Sequence, residues 1–287
     1  MGLFSGEVTE KVVDFQVPGR GLDFVWSRRY RSSGTEDSAL GNDWDFSYNL
    51  YVEGPDNPSL PAVPNAIVHM GNARPVQFVW NNGNASVTNY RADGWEAELS
   101  KTSTGVLSLR FGNGVVWTFV NGGAGDRKIS TIADRYGNTL SFAYHATSGR
   151  LLTITDTLSR VYNIAYDGNG SISSLTESAG LGRTIGYAHY GASEAGGNLY
   201  DLKSVTYPAI TGTSTGNDFP SGRSLSYTYD KTVNSALRGN LLTIVDGRGN
   251  TALTAAYDSS DRTTSQTWGS GAGAALVTVS YPAAPSG

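Results

Sequence analysis

The 287-residue chain has no cysteine, which excludes disulfides and thiolate metal sites. It does not exclude export, because a β fold of this size can hold together without covalent staples. Histidine is nearly absent too: His69, His145 and His189 lie far apart and show no metal-ligand spacing. Charge is sparse and balanced, with 21 basic and 25 acidic residues and a net charge of −4. No basic stripe appears, so the electrostatic footprint of a nucleic-acid binder is missing. No apolar run approaches the length of a membrane span. Helix formers such as Lys, Glu, Gln and Met are scarce, which disfavours a helical fold. The opening Met1–Glu7 lacks the basic and apolar regions of a signal peptide. Export is therefore expected to use another route or information outside this stretch.

What is present points to β structure. Glycine is abundant at 36 residues, alongside 16 Tyr and 6 Trp in a chain that is 39% hydrophobic. Excess Gly with Thr, Ser and Asn predicts many short strands joined by tight turns. The aromatic rings offset the modest apolar content, since each buries a large area.

Internal repeats begin near residue 128. One unit reads Lys128-Ile-Ser-Thr-Ile132-Ala-Asp134-Arg-Tyr-Gly137-Asn138-Thr-Leu140-Ser-Phe142-Ala-Tyr144, and the next runs from Leu151 through Asp156, Arg160 and Ile164 to Tyr166-Asp167. A third carries Glu177, Gly182, Arg183 and Tyr187; a later copy carries Asp246, Gly249 and Tyr257. Successive tyrosines at 144, 166, 187, 229, 257 and 281 are 22, 21, 42, 28 and 24 residues apart. The 42-residue gap reads as two units, the skipped one running through Leu202–Tyr207 and interrupted by an insertion from Pro208 to Gly222. "Leu-x-x-Ile-x-Asp" predicts a strand entering a turn that Asp caps and Gly allows. The alternation ending in Tyr predicts a return strand with one apolar face, and Tyr166-Asp167-Gly-Asn-Gly170 predicts the following turn. Each unit is a hairpin that cannot bury its apolar face alone, whereas stacked units can.

Residues 1–127 also read as β but without a regular repeat. Strands are predicted at Val12–Val17, Leu22–Tyr30, Gly41–Leu50, Ala66–Met70, Pro75–Trp80, Trp95–Leu99, Val106–Phe111 and Val115–Val120. The proline-rich stretch from Gly54 to Pro64 reads as a loop, and Gly122–Gly125 as a hinge before the repeat array of 128–287, about six units.

These residues carry a resemblance to Rhs/YD-repeat (Tyr-Asp repeat) proteins. The units "Asp-x-x-Gly-Arg/Asn-x-(Leu/Ile)-x-x-x-Tyr" match the YD repeat over 128–281, and "Gly6-Glu7 … Asp14-Phe15-Gln-Val-Pro18-Gly19-Arg20-Gly21-Leu22" with Arg28-Arg29-Tyr30 and Leu40–Trp44 resembles the segment that precedes such arrays. The resemblance implies an all-β fold: an antiparallel ribbon, solenoid- or cocoon-like, preceded by an irregular β domain. In toxin proteins of this group the cocoon encloses an effector, and in teneurins related shells mediate adhesion. The Asp-Pro-x-Gly core that ends a toxin shell does not occur here.

Chemistry-bearing motifs are few. No Gly-x-Ser-x-Gly elbow, phosphate loop or His-Glu-x-x-His occurs. Glu96 and Glu98 at i, i+2 could mimic a glycosidase carboxylate pair, but such spacing is commoner on a solvent face of a strand. Asp43 and Asp45 read as turn and surface residues. Asp134, Asp156, Glu177 and Asp246 could form a carboxylate ladder for Ca²⁺, although turn capping accounts for each without an ion. The tyrosines read either as rings packed in the wall or as platforms for sugars. The expectation is a non-enzymatic extracellular or cell-surface structural module without cofactor or nucleic acid, self-assembling or extended by further YD repeats through sheet edges. A carbohydrate-binding adhesion module that takes a cell-surface glycan, or a toxin-encapsulating shell fragment, is the alternative.

Overall fold

The computed structural model describes residues 6–34, 37–54, 65–80, 87–102, 104–121, 127–178, 180–216, 218–232 and 237–281. The proline-rich stretch 55–64 and the hinge 122–125 lie outside the described residues. The fold is all-β, in three parts. β1 (Thr9–Val17), β2 (Phe24–Arg31) and β3 (Trp44–Phe46) form a small antiparallel sheet. β4 (Leu50–Glu53), β5 (Ala66–Met70), β6 (Val76–Trp80), β7 (Val87–Arg91), β8 (Ala97–Thr102), β9 (Leu107–Phe111), β10 (Val116–Asn121) and β11 (Arg127–Ala133) pair in order. The ring closes where Arg127 and Lys128 of β11 pair with Val52 and Tyr51 of β4. β11 then forks: the same edge that meets β4 at its start pairs at Thr131–Ala133 with β12 (Thr139–Tyr144). From that fork a ribbon of hairpins runs on.

The ribbon consists of β11–β12, β13–β14 (Leu151–Thr155, Val161–Tyr166), β15–β16 (Ile172–Glu177, Thr184–His189), β17–β18 (Leu202–Thr206, Ser224–Tyr229), β19–β20 (Leu241–Asp246, Thr251–Tyr257) and β21–β22 (Thr263–Trp268, Ala275–Thr278). Every strand pairs with its sequence neighbour. The link from each return strand to the next unit is irregular at one recurring place. The register shifts between Ala143 and Tyr144, Ala165 and Tyr166, Ala188 and His189, Thr228 and Tyr229, and Ala256 and Tyr257. An extra residue on one strand bends it and raises the local twist. Repeated once per unit on the same side, that bulge curls the ribbon.

The Asp turns share one geometry. The Asp134 amide donates to Asn138 O and Gly137 N donates to Asp134 O, while Oδ1 of Asp134 accepts from the amides of Tyr136 and Asn138. Asp156 and Asp246 repeat the pattern, as do Asp167 and Asp258 at the opposite ends of their units. The fourth residue of the loop takes left-handed backbone, at φ +84° for Gly137 and +83° for Gly249. The second unit has Ser159 there and still adopts φ +62°.

Several expectations need correction. The 42-residue tyrosine gap holds one hairpin, β17–β18, enlarged by loops at 190–201 and 207–223, because loop length is free where strand length is not. Tyr207 stands at the Asp position, its amide donating to Arg223 O across the insertion. Tyr187 is not the counterpart of Tyr144, Tyr166, Tyr229 and Tyr257; the bulge register puts His189 there, and Tyr187 aligns with inward Phe142 and Ile164. The run Gly41–Leu50 splits into β3 and β4 at a turn in which Asn49 N donates to Phe46 O. The strand expected from Trp95 starts at Ala97, after a turn with Gly94 at φ +75°. β7 was not anticipated, as it carries little apolar alternation.

Ser159→Gly relieves a left-handed L-residue at the cost of extra unfolded-state freedom, for an expected net gain of about 0.5 kcal/mol. Gly249→Ala, where an added Cβ meets nothing within 4 Å, isolates the backbone cost and is expected to lose about 1 kcal/mol. Urea unfolding of the two variants checks both signs.

Candidate functional site

The most constructed region is the seam where the N-terminal sheet lies on the apolar face of the ribbon. The inward residues of β2 alternate as Phe24, Trp26, Arg28 and Tyr30, all buried, and each meets a successive hairpin. Phe24 stacks on Tyr162 of the second unit at 3.6 Å between centroids. Trp26 Nε1 donates to the Tyr187 hydroxyl of the third at 2.9 Å. Arg28 lies over the ring of Tyr227 of the fourth at 5.2 Å. The Tyr30 hydroxyl accepts from Leu241 N of the fifth at 2.8 Å. Further out, Trp44 Nε1 donates to the Tyr229 hydroxyl at 2.8 Å, and Thr263 of the sixth unit donates its amide to Gly6 O.

At the centre sits an ion pair with both side chains fully buried. Arg28 Nε donates to Asp14 Oδ2 at 2.8 Å, and the same oxygen accepts from Tyr187 Oη at 2.8 Å, while Oδ1 accepts from Tyr207 Oη at 2.6 Å. Burial works against the charge on Arg28, yet Tyr227 and Asp14 beside it raise its pKa above the ordinary guanidinium value. Its outer nitrogens have no hydrogen-bond partner among the described residues and rest on the faces of Trp44 and Tyr227.

The loop Pro18–Gly21 closes over the first two Asp turns. Arg20 N donates to Thr157 Oγ1, and Arg160, which also binds Asp156 Oδ2 at 2.6 Å, donates to Pro18 O. A Cβ on Gly21 would stand 2.1 Å from Asp134 Oδ2, so only glycine fits this approach. Arg183 is bidentate to Glu177, at 3.0 and 3.2 Å, and covers the Phe15 ring, with Gly182 beside it at φ +59°. The ladder carboxylates are thus each bound within their own turns. No group of three or more metal-ligating side chains occurs among the described residues.

The repeat tyrosines have a role that composition did not reveal. Tyr166, Tyr229, Tyr257 and Tyr281 donate their hydroxyls to the carbonyls of Leu151, Leu202, Leu241 and Thr263, each the first residue of the preceding strand. The hydroxyl thereby clasps the open end of its own hairpin. Asp caps one end of the unit and Tyr fastens the other. Tyr144 is the exception: its hydroxyl bonds no described group, and the residue lines a cleft of about 360 Å³ between the N-terminal segment, the barrel closure and the first two hairpins. Lys128 lies over the Tyr144 ring and Arg150 over that of Tyr166, at 5.5 and 5.3 Å. Burial pushes the Tyr166 phenol up to about 12. Asp37 and Glu53 also line the cleft.

Other candidates are kept apart. His69 stacks on Tyr51 at 3.8 Å and approaches Glu53 at 3.3 Å. His145 Nδ1 accepts from Ser148 N, and His189 bonds Leu40 O at 2.9 Å, with burial lowering its pKa. Glu96 precedes β8 rather than sharing its strand with Glu98, which pairs with Arg91 at 3.9 Å. Asp45 is not a surface residue: it is buried and accepts from Asn49 Nδ2 and Ala73 N. Asp43 adopts φ +58° at the seam, and its carboxylate accepts no hydrogen bond from any described residue. Burial, then Asp37, Asp201 and Asp261, raise its pKa to about 8.

A family model described as a domain of unknown function (DUF6531) matches residues 2–78, the stretch that spans β1 to β6. No curated protein matches the sequence. Among the described residues no helix is long and apolar enough to cross a membrane.

Removing one partner of the central pair leaves a buried charge, so Arg28→Met is expected to cost about 3–5 kcal/mol in urea unfolding. Asp43 behaves oppositely. Its folded pKa near 8 lies above the unfolded value of about 3.9, so its contribution is best in acid and falls as pH rises to about 8, then levels. Asp43→Asn keeps a residue that tolerates left-handed backbone. Its melting temperature is expected to exceed that of the parent, by more at pH 8.5 than at pH 5; an equal gain at both would contradict the assignment.

Proposed function

We propose that this protein is a non-enzymatic structural module of an extracellular or cell-surface assembly, a stretch of Rhs/YD-type β shell that grows by strand addition. The observation that carries the reading is the outer edge of the ribbon. Each unit adds its strands to the edge left by the one before, and among the described residues β22 has a pairing register with β21 alone, which leaves its other edge open. Its residues are exposed, Leu276 at 61% and Val277 at 39%. An apolar, unpaired edge is a template for another strand, either a further repeat or the edge of a second copy.

The Tyr-Asp pairs at Tyr166-Asp167, Tyr229-Asp230 and Tyr257-Asp258 support the YD-type reading on mechanical grounds. Tyrosine clasps one unit while the adjacent aspartate caps the turn into the next. Units built this way can be added without redesign of the wall. The apolar face of the ribbon is already covered by β1–β3, which favours a wall over a container for this stretch of chain. The site residues named from the repeat are then structural, and none is asked to perform a reaction.

Light scattering over a concentration series tests the edge. The parent chain is expected to self-associate as concentration rises, and Val277→Lys, which places a charge on the edge, to shift it towards monomer. A parent that stays strictly monomeric at high concentration would contradict assembly through β22.

A further inference from the structure

We propose that the cleft between the barrel closure and the first two hairpins binds an acidic sugar residue, such as a uronate or sialate of a surface polysaccharide. The cleft is walled by three parts of the fold at once: the segment around Asp37, strand β4 with Tyr51 and Glu53, and the ends of the first two units. Its volume of about 360 Å³ falls within the roughly 300–1,000 Å³ of ligand pockets. Its lining mixes aromatic rings with charged and amide groups, which suits an amphipathic ring better than a hydrocarbon.

Polar groups left unspent define the chemistry. In four of the six units the tyrosine hydroxyl is used to clasp a carbonyl, and in the third a histidine bonded to Leu40 stands in its place. Of the tyrosines at this repeat position only Tyr144 makes no hydroxyl bond to a described residue, and it lines the cleft beside Tyr166. Arg150 stacks on Tyr166 yet donates no hydrogen bond from its guanidinium to a described group. Lys128 donates to Gly149 O, which leaves two of its three N–H groups. The first two hairpins therefore offer donors to the cleft: Lys128, Tyr144 and Arg150. A guanidinium fork is matched to a carboxylate.

The same cleft also offers acceptors. Asp37 uses one oxygen for the Asp43 amide at 3.3 Å, and Glu53 lies 3.3 Å from His69. Carboxylates there suit sugar hydroxyls, which donate. A pyranose with a ring carboxylate satisfies both sets of groups: its carboxylate on Arg150 and Lys128, its hydroxyls on Asp37 and Glu53, its C–H face against the tyrosine rings. A neutral sugar leaves the cations unmatched, and an inorganic anion leaves the acceptors facing like charge.

Calorimetric titration of the full chain with sialyllactose, tri-galacturonate, maltotriose and inorganic phosphate tests this. At least one acidic oligosaccharide is expected to bind, and maltotriose and phosphate to bind more weakly. Arg150→Gln is expected to weaken the acidic ligand about tenfold, the loss of one charge-assisted contact. Tyr144→Phe keeps the ring and is expected to weaken it several-fold; melting temperatures near the parent's show that both variants fold. Binding of the acidic sugars that neither variant changes overturns the site. Binding of phosphate or maltotriose alone, or of none of the four, overturns the ligand.

Discussion

A carboxylate and a guanidinium with no access to water sit between two sheets that share no backbone hydrogen bond at that point. Asp14 and Arg28 belong to adjacent strands of the N-terminal sheet, while Tyr187, Tyr207 and Tyr227 come from the third and fourth hairpins. A buried pair adds little stability by itself, because desolvation offsets its attraction. Its effect is on specificity: both oxygens of Asp14 are occupied only when the two tyrosines stand in one register against β1 and β2. Of the flanking contacts only the stack of Phe24 on Tyr162 would tolerate sliding, since Trp26, Tyr30 and Trp44 each share a buried hydrogen bond with the ribbon. The charged centre does not. The placement of four otherwise similar hairpins along one short strand follows from it.

The ribbon supplies the other half of the arrangement. A bulge recurs once per unit, so the sheet curls, and a curled sheet turns its apolar face inward where a short strand can reach several units. Leu151, Ile154, Tyr162, Ile164, Ile172 and Leu175 are buried on that face. Tyrosine at the bulge and aspartate in the turn fasten the second and fifth hairpins at both ends. The unit is thus a small device with two fasteners, and the N-terminal sheet is what makes several of them one body.

The hairpins were legible from sequence because their signals are local. Asp with Gly three residues on fixes a turn, and period-two alternation fixes a face, and both appear in the structure at Asp134–Asn138 and Asp246–Asn250. The barrel was not legible, since ring closure depends on Arg127 and Lys128 meeting Val52 and Tyr51 across a long sequence separation. Tyr187 was misaligned for a related reason. A tyrosine two residues early looks the same as one in phase, and only the register against Leu202 identifies His189 as the equivalent. The cleft at Tyr144 was equally hidden: what marks it is a hydrogen bond that four of the other units make and this one lacks. The buried pair had a trace in the sequence, for Asp14 and Arg28 stand on inward positions of two alternating strands. A charge at an apolar-face position is the pattern to look for.

The central claim is that the N-terminal sheet and the middle of the ribbon open and close as one unit. Hydrogen exchange of the intact protein under mildly destabilising conditions tests it most directly, because each cooperative unit exchanges with its own opening free energy. The account predicts that amides of β1 and β2 and those of β15 to β19 share a single opening free energy. Ribbon amides that stay protected while those of β1 and β2 exchange through a lower-energy opening would contradict it.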